Sequence, residues 1–182
     1  MVVSASKDLR VDIDDETSNE AIEIGSDELL SNDNLRLPES ASLLVRIHAV
    51  RAWLTRRSQE TVLELGEVAL ALQEMSQELA ETPGRRLRRR QRQNVEERLA
   101  QIRQVVLEVQ QRLSAYEEAQ ALLEDCIVHT SGERVLVEYY LALEDLVQSI
   151  AGANQPGQLP RLQALADVQH RVEHIGAPSE EE

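Results

Sequence analysis

The chain has 182 residues, with 33 acidic residues against 19 lysines and arginines, so its formal net charge is −14, which argues against a general nucleic-acid-binding protein. Its single cysteine excludes a disulfide framework and a multi-cysteine zinc module. The apolar runs fall far short of the ~18 residues that a membrane-spanning helix needs, and the acidic first 20 residues lack the apolar core of a secretory signal, so we expect a cytoplasmic protein.

The N-terminal stretch concentrates the negative charge. Residues 1–40 hold 11 acids and three bases and show no sustained apolar period. Such a stretch cannot bury enough surface to offset the conformational entropy that folding removes. We therefore predict that residues 1–38 form a disordered acidic tail. An apolar island at 21–24 and 29–30 is either a docking motif that folds on a partner or a patch without a role.

A first long helix is predicted from Ser40 to Ala80. Apolar residues recur there mostly at steps of three and four, which is the helical period. Pro38 lies just before this stretch, where proline is tolerated at a helix start. Thr82, Pro83 and Gly84 follow and predict a turn. A second helix then runs to about Ile127, and from Val95 onward its apolar stripe keeps the heptad spacing of a coiled-coil seam.

The charges of these two helices favour an antiparallel hairpin over residues 39–128, with its turn near 82–84. The segment 60–81 contains six glutamates and no base, whereas 85–106 contains eight arginines and two glutamates. With the turn at Pro83, residue i faces roughly residue 166 − i, so opposite charges meet across the hairpin. A parallel dimer would instead place like charges together.

Residues 130–176 predict two shorter helices, from about 133 to 152 and from about 159 to 174, separated by a loop rich in glycine and proline. We expect both helices to pack at the open end of the hairpin, which makes the fold all-α. Residues 177–182 form a short acidic tail. The packing would gather nearly all aromatic side chains into one core cluster of Trp53, Tyr116, Tyr139 and Tyr140.

An arginine-rich sequence follows the predicted turn, and its bidentate side chains suit carboxylates and phosphates. It is a site for an acidic protein segment, for the acidic tail of the same chain or for a polyanion, or else a solvated turn that neutralises the glutamates of the facing helix. No aromatic residue is interleaved to stack on bases. The cluster comprises Arg85, Arg86, Arg88, Arg89, Arg90 and Arg92.

Two pairs of residues have metal-ligand spacing. Cys126 and His129 are three residues apart, and His170 and His174 are four apart, which places the two histidines on one face of a helix. The pairs lack a second cysteine, and 40 residues separate them, so we predict neither a metal nor another cofactor. The chain also lacks a phosphate-binding glycine loop and a nucleophile elbow, and we predict that it is not an enzyme.

These patterns favour a non-enzymatic interaction protein, namely an adaptor, a regulator or a scaffold component. It would act through the hairpin with its arginine-rich tip and through the acidic tether. The abundance of arginine and leucine beside a single lysine is typical of a bacterial, GC-rich genome. We expect an unidentified protein partner and a homodimer, because leucines such as Leu63, Leu70 and Leu107 lie off the seam. The alternative is a regulator that binds nucleic acid or another polyanion through residues 85–92.

Overall fold

The structure is a computed structural model, and it describes residues 33, 35–38, 40–81, 89–132, 134–153 and 157–176. Four α-helices account for the regular structure of these residues, and they contain no strand. The all-α prediction is therefore confirmed. The helices are α1 (Leu43–Glu81), α2 (Arg89–His129), α3 (Arg134–Gly152) and α4 (Leu159–Gly176).

The two long helices and the two short ones lie close to their predicted positions. α1 has 39 residues and α2 has 41, which at 1.5 Å per residue makes each about 60 Å long. The predicted turn at 82–84 lies outside the described residues. Gly157 adopts a φ of +87° just before α4, a backbone conformation that glycine tolerates and other residues rarely adopt.

Two ion pairs join α1 to α2 in reversed chain order. The Nη2 atom of Arg51 lies 2.6 Å from the carboxylate of Glu124, and that of Arg112 lies 2.6 Å from the carboxylate of Glu64. The predicted register is wrong, because it places Arg51 opposite residue 115. The observed partners in α2 lie nine and ten positions later than that register gives.

The hydrophobic core lies at one end of the long helices and draws on all four elements. We call this end the head, and it comprises residues 43–61 and 109–129, α3, α4 and a short N-terminal segment. The fully buried side chains include Leu54 of α1, Leu123 of α2, Tyr139 and Leu143 of α3, and Leu165 of α4. The burial of apolar side chains from several packed helices is the main stabilising contribution in a small helical protein.

A short N-terminal segment, residues 33 and 35–38, packs against the head, and we call it the strap. Leu35 and Leu37 contact the core. Arg171 donates hydrogen bonds from its Nη1 atom to the carbonyl oxygens of Asp33, at 2.9 Å, and Leu35, at 3.2 Å. The prediction of disorder for 1–38 is therefore wrong for the strap, because two leucines and a buried arginine hold it. The preceding tail and residues 177–182 lie outside the described residues.

The remaining parts of the long helices, residues 62–81 and 89–108, contribute nothing to the core cluster, and we call them the stalk. Leu99 is nevertheless buried, with 5% of its surface exposed. Such burial is what a continued α1–α2 seam predicts. On the other side of α1, Leu63 and Leu70 are 70% and 61% exposed.

Candidate functional site: an arginine-lined cleft in the head

A cleft of about 370 Å³ opens between the strap, α1 and α4. This volume is within the range of small-molecule sites, which begins near 300 Å³. The side chains around it are mostly charged or hydrogen-bonding. They belong to Asp33, Arg36, Trp53, Arg57, Asp167, His170, Arg171 and His174.

The α1 wall of the cleft is built on Trp53. Its indole is nearly buried and packs edge-to-face on Tyr116, with ring centroids 6.2 Å apart. Its Nε1 atom donates a hydrogen bond of 2.5 Å to Oδ1 of Asp33. Arg57, one helical turn later, places its guanidinium carbon 5.3 Å from the indole centroid. Packing and hydrogen bonding therefore fix the indole, and a cation–π contact holds Arg57 over it.

The ion pairs of Arg57 are long. Its guanidinium nitrogens lie 3.5 Å from the carboxylates of both Asp33 and Glu60, beyond the 2.7–2.9 Å of a strong charge-assisted hydrogen bond. Its Nε atom is buried and has no hydrogen-bond partner among the described residues. The ring face, rather than a tight carboxylate fork, therefore sets the position of this guanidinium.

The α4 wall carries two histidines and a buried arginine. Arg171 is only 4% exposed, and its contacts with the strap carbonyls fix it. Burial lowers the pKa of Arg171, and the nearby carboxylate of Asp33 opposes that shift. The rings of His170 and His174 are in contact and tilted 43° to each other, with centroids 4.6 Å apart. This wall therefore presents imidazole donors beside a fixed cation.

The cleft has the opposite charge balance to the whole chain. Three arginines and two aspartates line it, whereas the complete sequence carries an excess of 14 acids. Arg36 lies on the strap and is exposed. No ion pair joins it to another residue within the described ranges. A locally cationic concave surface on an acidic protein favours an anion.

The predicted aromatic residues all lie in the head. Trp53, Tyr116 and Tyr139 belong to its core, and Tyr140 packs against that core. The hydroxyl of Tyr139 donates a hydrogen bond of 3.0 Å to the carbonyl of Ala119. Burial raises the pKa of Tyr139 well above its ordinary value, with a further contribution from Cys126. These residues stabilise the head, and only Trp53 also lines the cleft.

The two candidate metal pairs occupy different surroundings. His170 and His174 line the cleft, whereas Cys126 is buried in the core. Burial raises the pKa of the Cys126 thiol, which disfavours the thiolate that binds metals. His129 is exposed, and its Nδ1 atom lies 3.1 Å from the carboxylate of Asp125. Within the described ranges, no three potential ligands converge as a metal site requires.

The arginine-rich cluster falls at the edge of the described structure. Residues 85–88 lie outside it, and for Arg89, Arg90 and Arg92 the structure describes the helical backbone of the first turns of α2 but not the side chains. The role assigned to this cluster therefore stays a prediction.

Sequence reasoning missed several residues of the cleft: Asp33, Arg36, Arg57 and Arg171. Two signals were available. Arg171 lies three residues after Val168 and four before Ile175, on the apolar side of α4. An arginine at such a position is expected to be buried. Leu35 and Leu37 alternate with polar residues, which is the pattern of an extended segment with one apolar face. Neither signal shows which helix the strap contacts.

Comparisons of the chain with protein-family models, with curated proteins and with solved structures gave no match. Among the described helices, none combines the length and apolar character required to cross a membrane.

Proposed function

We propose that the protein is a non-enzymatic helical scaffold in which the stalk is a coiled-coil hairpin that pairs with the stalk of a second copy. The exposure of Leu63 and Leu70 carries this proposal. Isolated leucines are common on protein surfaces. These two are seven residues apart, which places them on the same side of α1.

The position of these leucines fits an additional helical neighbour. The seam side of α1 includes Leu65, Val68 and Leu72, all partly buried. At 100° per residue, Leu63 and Leu70 lie on the side opposite these positions. A helix that contacts its partner along one seam leaves such a side open to water, and a second hairpin would cover it.

Charge complementarity favours a second copy as the occupant. Residues 62–81 of α1 contain five glutamates and no base, whereas residues 89–108 of α2 contain five arginines and three glutamates. A two-fold axis places α1 of one copy beside α2 of the other, so that opposite charges meet. Such charges select the pairing, and the buried leucines supply the affinity.

In this proposal the arginine-rich cluster at 85–92 forms the tip of the hairpin and, with the acidic tether, contacts a further protein partner. An adaptor with this layout separates two tasks. The stalk sets the distance between two heads, and the tips remain available for binding. Binding of a polyanion at the tips is the alternative, and it would weaken steeply with salt.

Analytical ultracentrifugation of the full chain tests the pairing, at concentrations spanning roughly 1–100 μM. We expect the wild type to sediment as a dimer and the double variant Leu63→Gln, Leu70→Gln as a monomer. The matched control is Leu44→Gln, Leu159→Gln, which removes two leucines of similar exposure from the head and is expected to leave the dimer intact.

A variant with Arg85, Arg88, Arg89 and Arg92 changed to Gln separates the tip from the stalk. It is expected to remain dimeric, because the leucines drive association. A wild type that stays monomeric over the whole concentration range refutes the proposal. The proposal is also refuted if the double variant in the stalk and the control double variant in the head dissociate the dimer equally, since association would then not be specific to the stalk.

A further inference from the structure

We propose that the cleft in the head binds the phosphate group of a small phosphorylated molecule through the guanidinium groups of Arg36 and Arg57. This inference concerns the head alone, and it does not depend on pairing of the stalks.

Arg57 is prepared for an anion by its surroundings. The cation–π contact with Trp53 holds its guanidinium in place before a ligand arrives. Both of its carboxylate contacts are long, at 3.5 Å, and its side chain is 34% exposed. A phosphate oxygen can therefore reach the terminal guanidinium nitrogens and make the shorter charge-assisted hydrogen bonds that the two carboxylates do not make. The entropy of ordering the side chain has already been lost.

Arg36 and the α4 wall surround the same space. Arg36 is exposed on the strap, so its guanidinium can move toward a ligand without disturbing the core. Arg171 adds a fixed positive charge, because the strap carbonyls hold its Nη1 atom. His170 and His174 add ring nitrogens that donate hydrogen bonds. Arginine pairs with phosphate through two parallel hydrogen bonds, which suits a tetrahedral dianion.

The remaining groups indicate what the phosphate is attached to. Asp33 and Asp167 line the same cleft, and carboxylates accept hydrogen bonds from hydroxyl groups. These two carboxylates would repel a second phosphate group of a larger polyanion. The cleft volume of about 370 Å³ is larger than a phosphate ion alone requires and fits a compact organic body. A phosphorylated polyol satisfies both the arginines and the carboxylates.

Trp53 provides the readout, since it is the only tryptophan of the chain and it lines the cleft. Its fluorescence is recorded while the full chain is titrated with glucose 6-phosphate at constant ionic strength, with calorimetry as a second measurement. Inorganic phosphate and unphosphorylated glucose are the separate arms. We expect saturable binding of glucose 6-phosphate, weaker binding of inorganic phosphate and none of glucose.

Arg36→Gln is the decisive variant, because Arg36 is exposed and its replacement leaves the core unchanged. We expect it to weaken binding of glucose 6-phosphate about tenfold, as for the loss of one charge-assisted hydrogen-bond pair. The double variant Arg36→Gln, Arg57→Gln is expected to abolish saturable binding. Arg134→Gln is the matched control, because Arg134 is an exposed arginine of α3 that does not line the cleft.

The proposal is overturned if neither phosphate compound gives a heat or a fluorescence change. It is also overturned if Arg36→Gln and Arg134→Gln weaken binding equally, because the arginines would then act only through general surface charge. Far-UV circular dichroism establishes that the variants remain folded. None of these variants is expected to alter sedimentation, so the outcome is independent of the stalk.

Discussion

The head and the stalk contain parts of the same two helices, yet their leucines differ in solvent exposure. Leu54, in the head part of α1, is completely buried, whereas Leu70, further along the same helix, is 61% exposed. Their side chains are identical, and neither lies near a helix end. The difference lies in the neighbours, because the head part of α1 packs into the core shared with the other helices and the strap, whereas residues 62–81 lie outside that core.

This contrast separates hydrophobicity from burial. A helix in a four-helix core buries a broad side of its surface, and a helix that pairs with one neighbour, as we propose for the stalk, buries only a narrow stripe. The stability of the monomer should therefore reside in the head, and the stalk should be free to evolve a surface for association. Three mutational comparisons test this division, in order of the effect expected.

The largest effect is expected from replacing the same residue type in the two regions. Leu54→Ala should lower the free energy of unfolding by about 2–5 kcal/mol, because it leaves a cavity among four elements. Leu70→Ala should change it by no more than about 0.5 kcal/mol in the monomer. Urea denaturation at low protein concentration measures both. Similar losses for the two variants would contradict the division into head and stalk.

A smaller effect is expected from Tyr139→Phe in the head. At neutral pH the variant should lose about 0.5–1.5 kcal/mol with the hydrogen bond to the carbonyl of Ala119. In the wild type, burial keeps Tyr139 protonated in the folded state after it has ionised in the unfolded chain. The contribution of Tyr139 to the free energy of unfolding is therefore complete below pH 10 and falls above it.

The pH dependence of Tyr139→Phe sharpens the same test. Above the unfolded pKa, near 10, the wild type should lose about 1.4 kcal/mol per pH unit through this residue alone. The variant should lose less, although Tyr116, whose pKa is also raised by burial, continues to contribute. Parallel denaturation curves at pH 8 and pH 10.5 provide the measurement, and an equal pH dependence would show that Tyr139 ionises freely in the folded protein.

The smallest effect concerns the ion pair between Glu64 and Arg112, where the head meets the stalk. Both side chains are partly exposed, so a double-mutant cycle with glutamine should give a coupling energy of about 0.2–1 kcal/mol. The control cycle pairs Glu64 with Arg103. In the register predicted from sequence, Glu64 would face the residue next to Arg103. We expect no coupling there, and the reverse result would restore the predicted register.

The sequence predicted the helices well because the helical period is a local signal. α3 and α4 begin and end within about two residues of their predicted limits, as is usual for helix ends. The predicted packing of short helices at one end of the long ones corresponds to the core formed by α1, α2, α3 and α4. The coiled-coil character of the stalk and its turn remain proposals.

The strap and the register could not be read from local patterns. Residues 33 and 35–38 adjoin an acidic stretch, and composition alone assigned them to it. Their position depends on the carbonyl contacts of Arg171, which follows them by more than 130 residues. The register of α1 against α2 depends on where the second helix begins, and a threonine–proline–glycine signal places a turn without fixing how many residues it contains.

The amino-acid sequence by itself determined that the chain is helical, where its apolar stripes run and how its charge is distributed, since these follow from residue type and short-range spacing. Only the tertiary structure decided that the strap belongs to the head and that Asp33, Trp53, Arg57 and the histidines of α4 surround one cleft. The physical reason is that a side chain's environment is set by distant segments brought into contact, and burial, hydrogen bonding and cation–π contacts exist only once those segments have packed together.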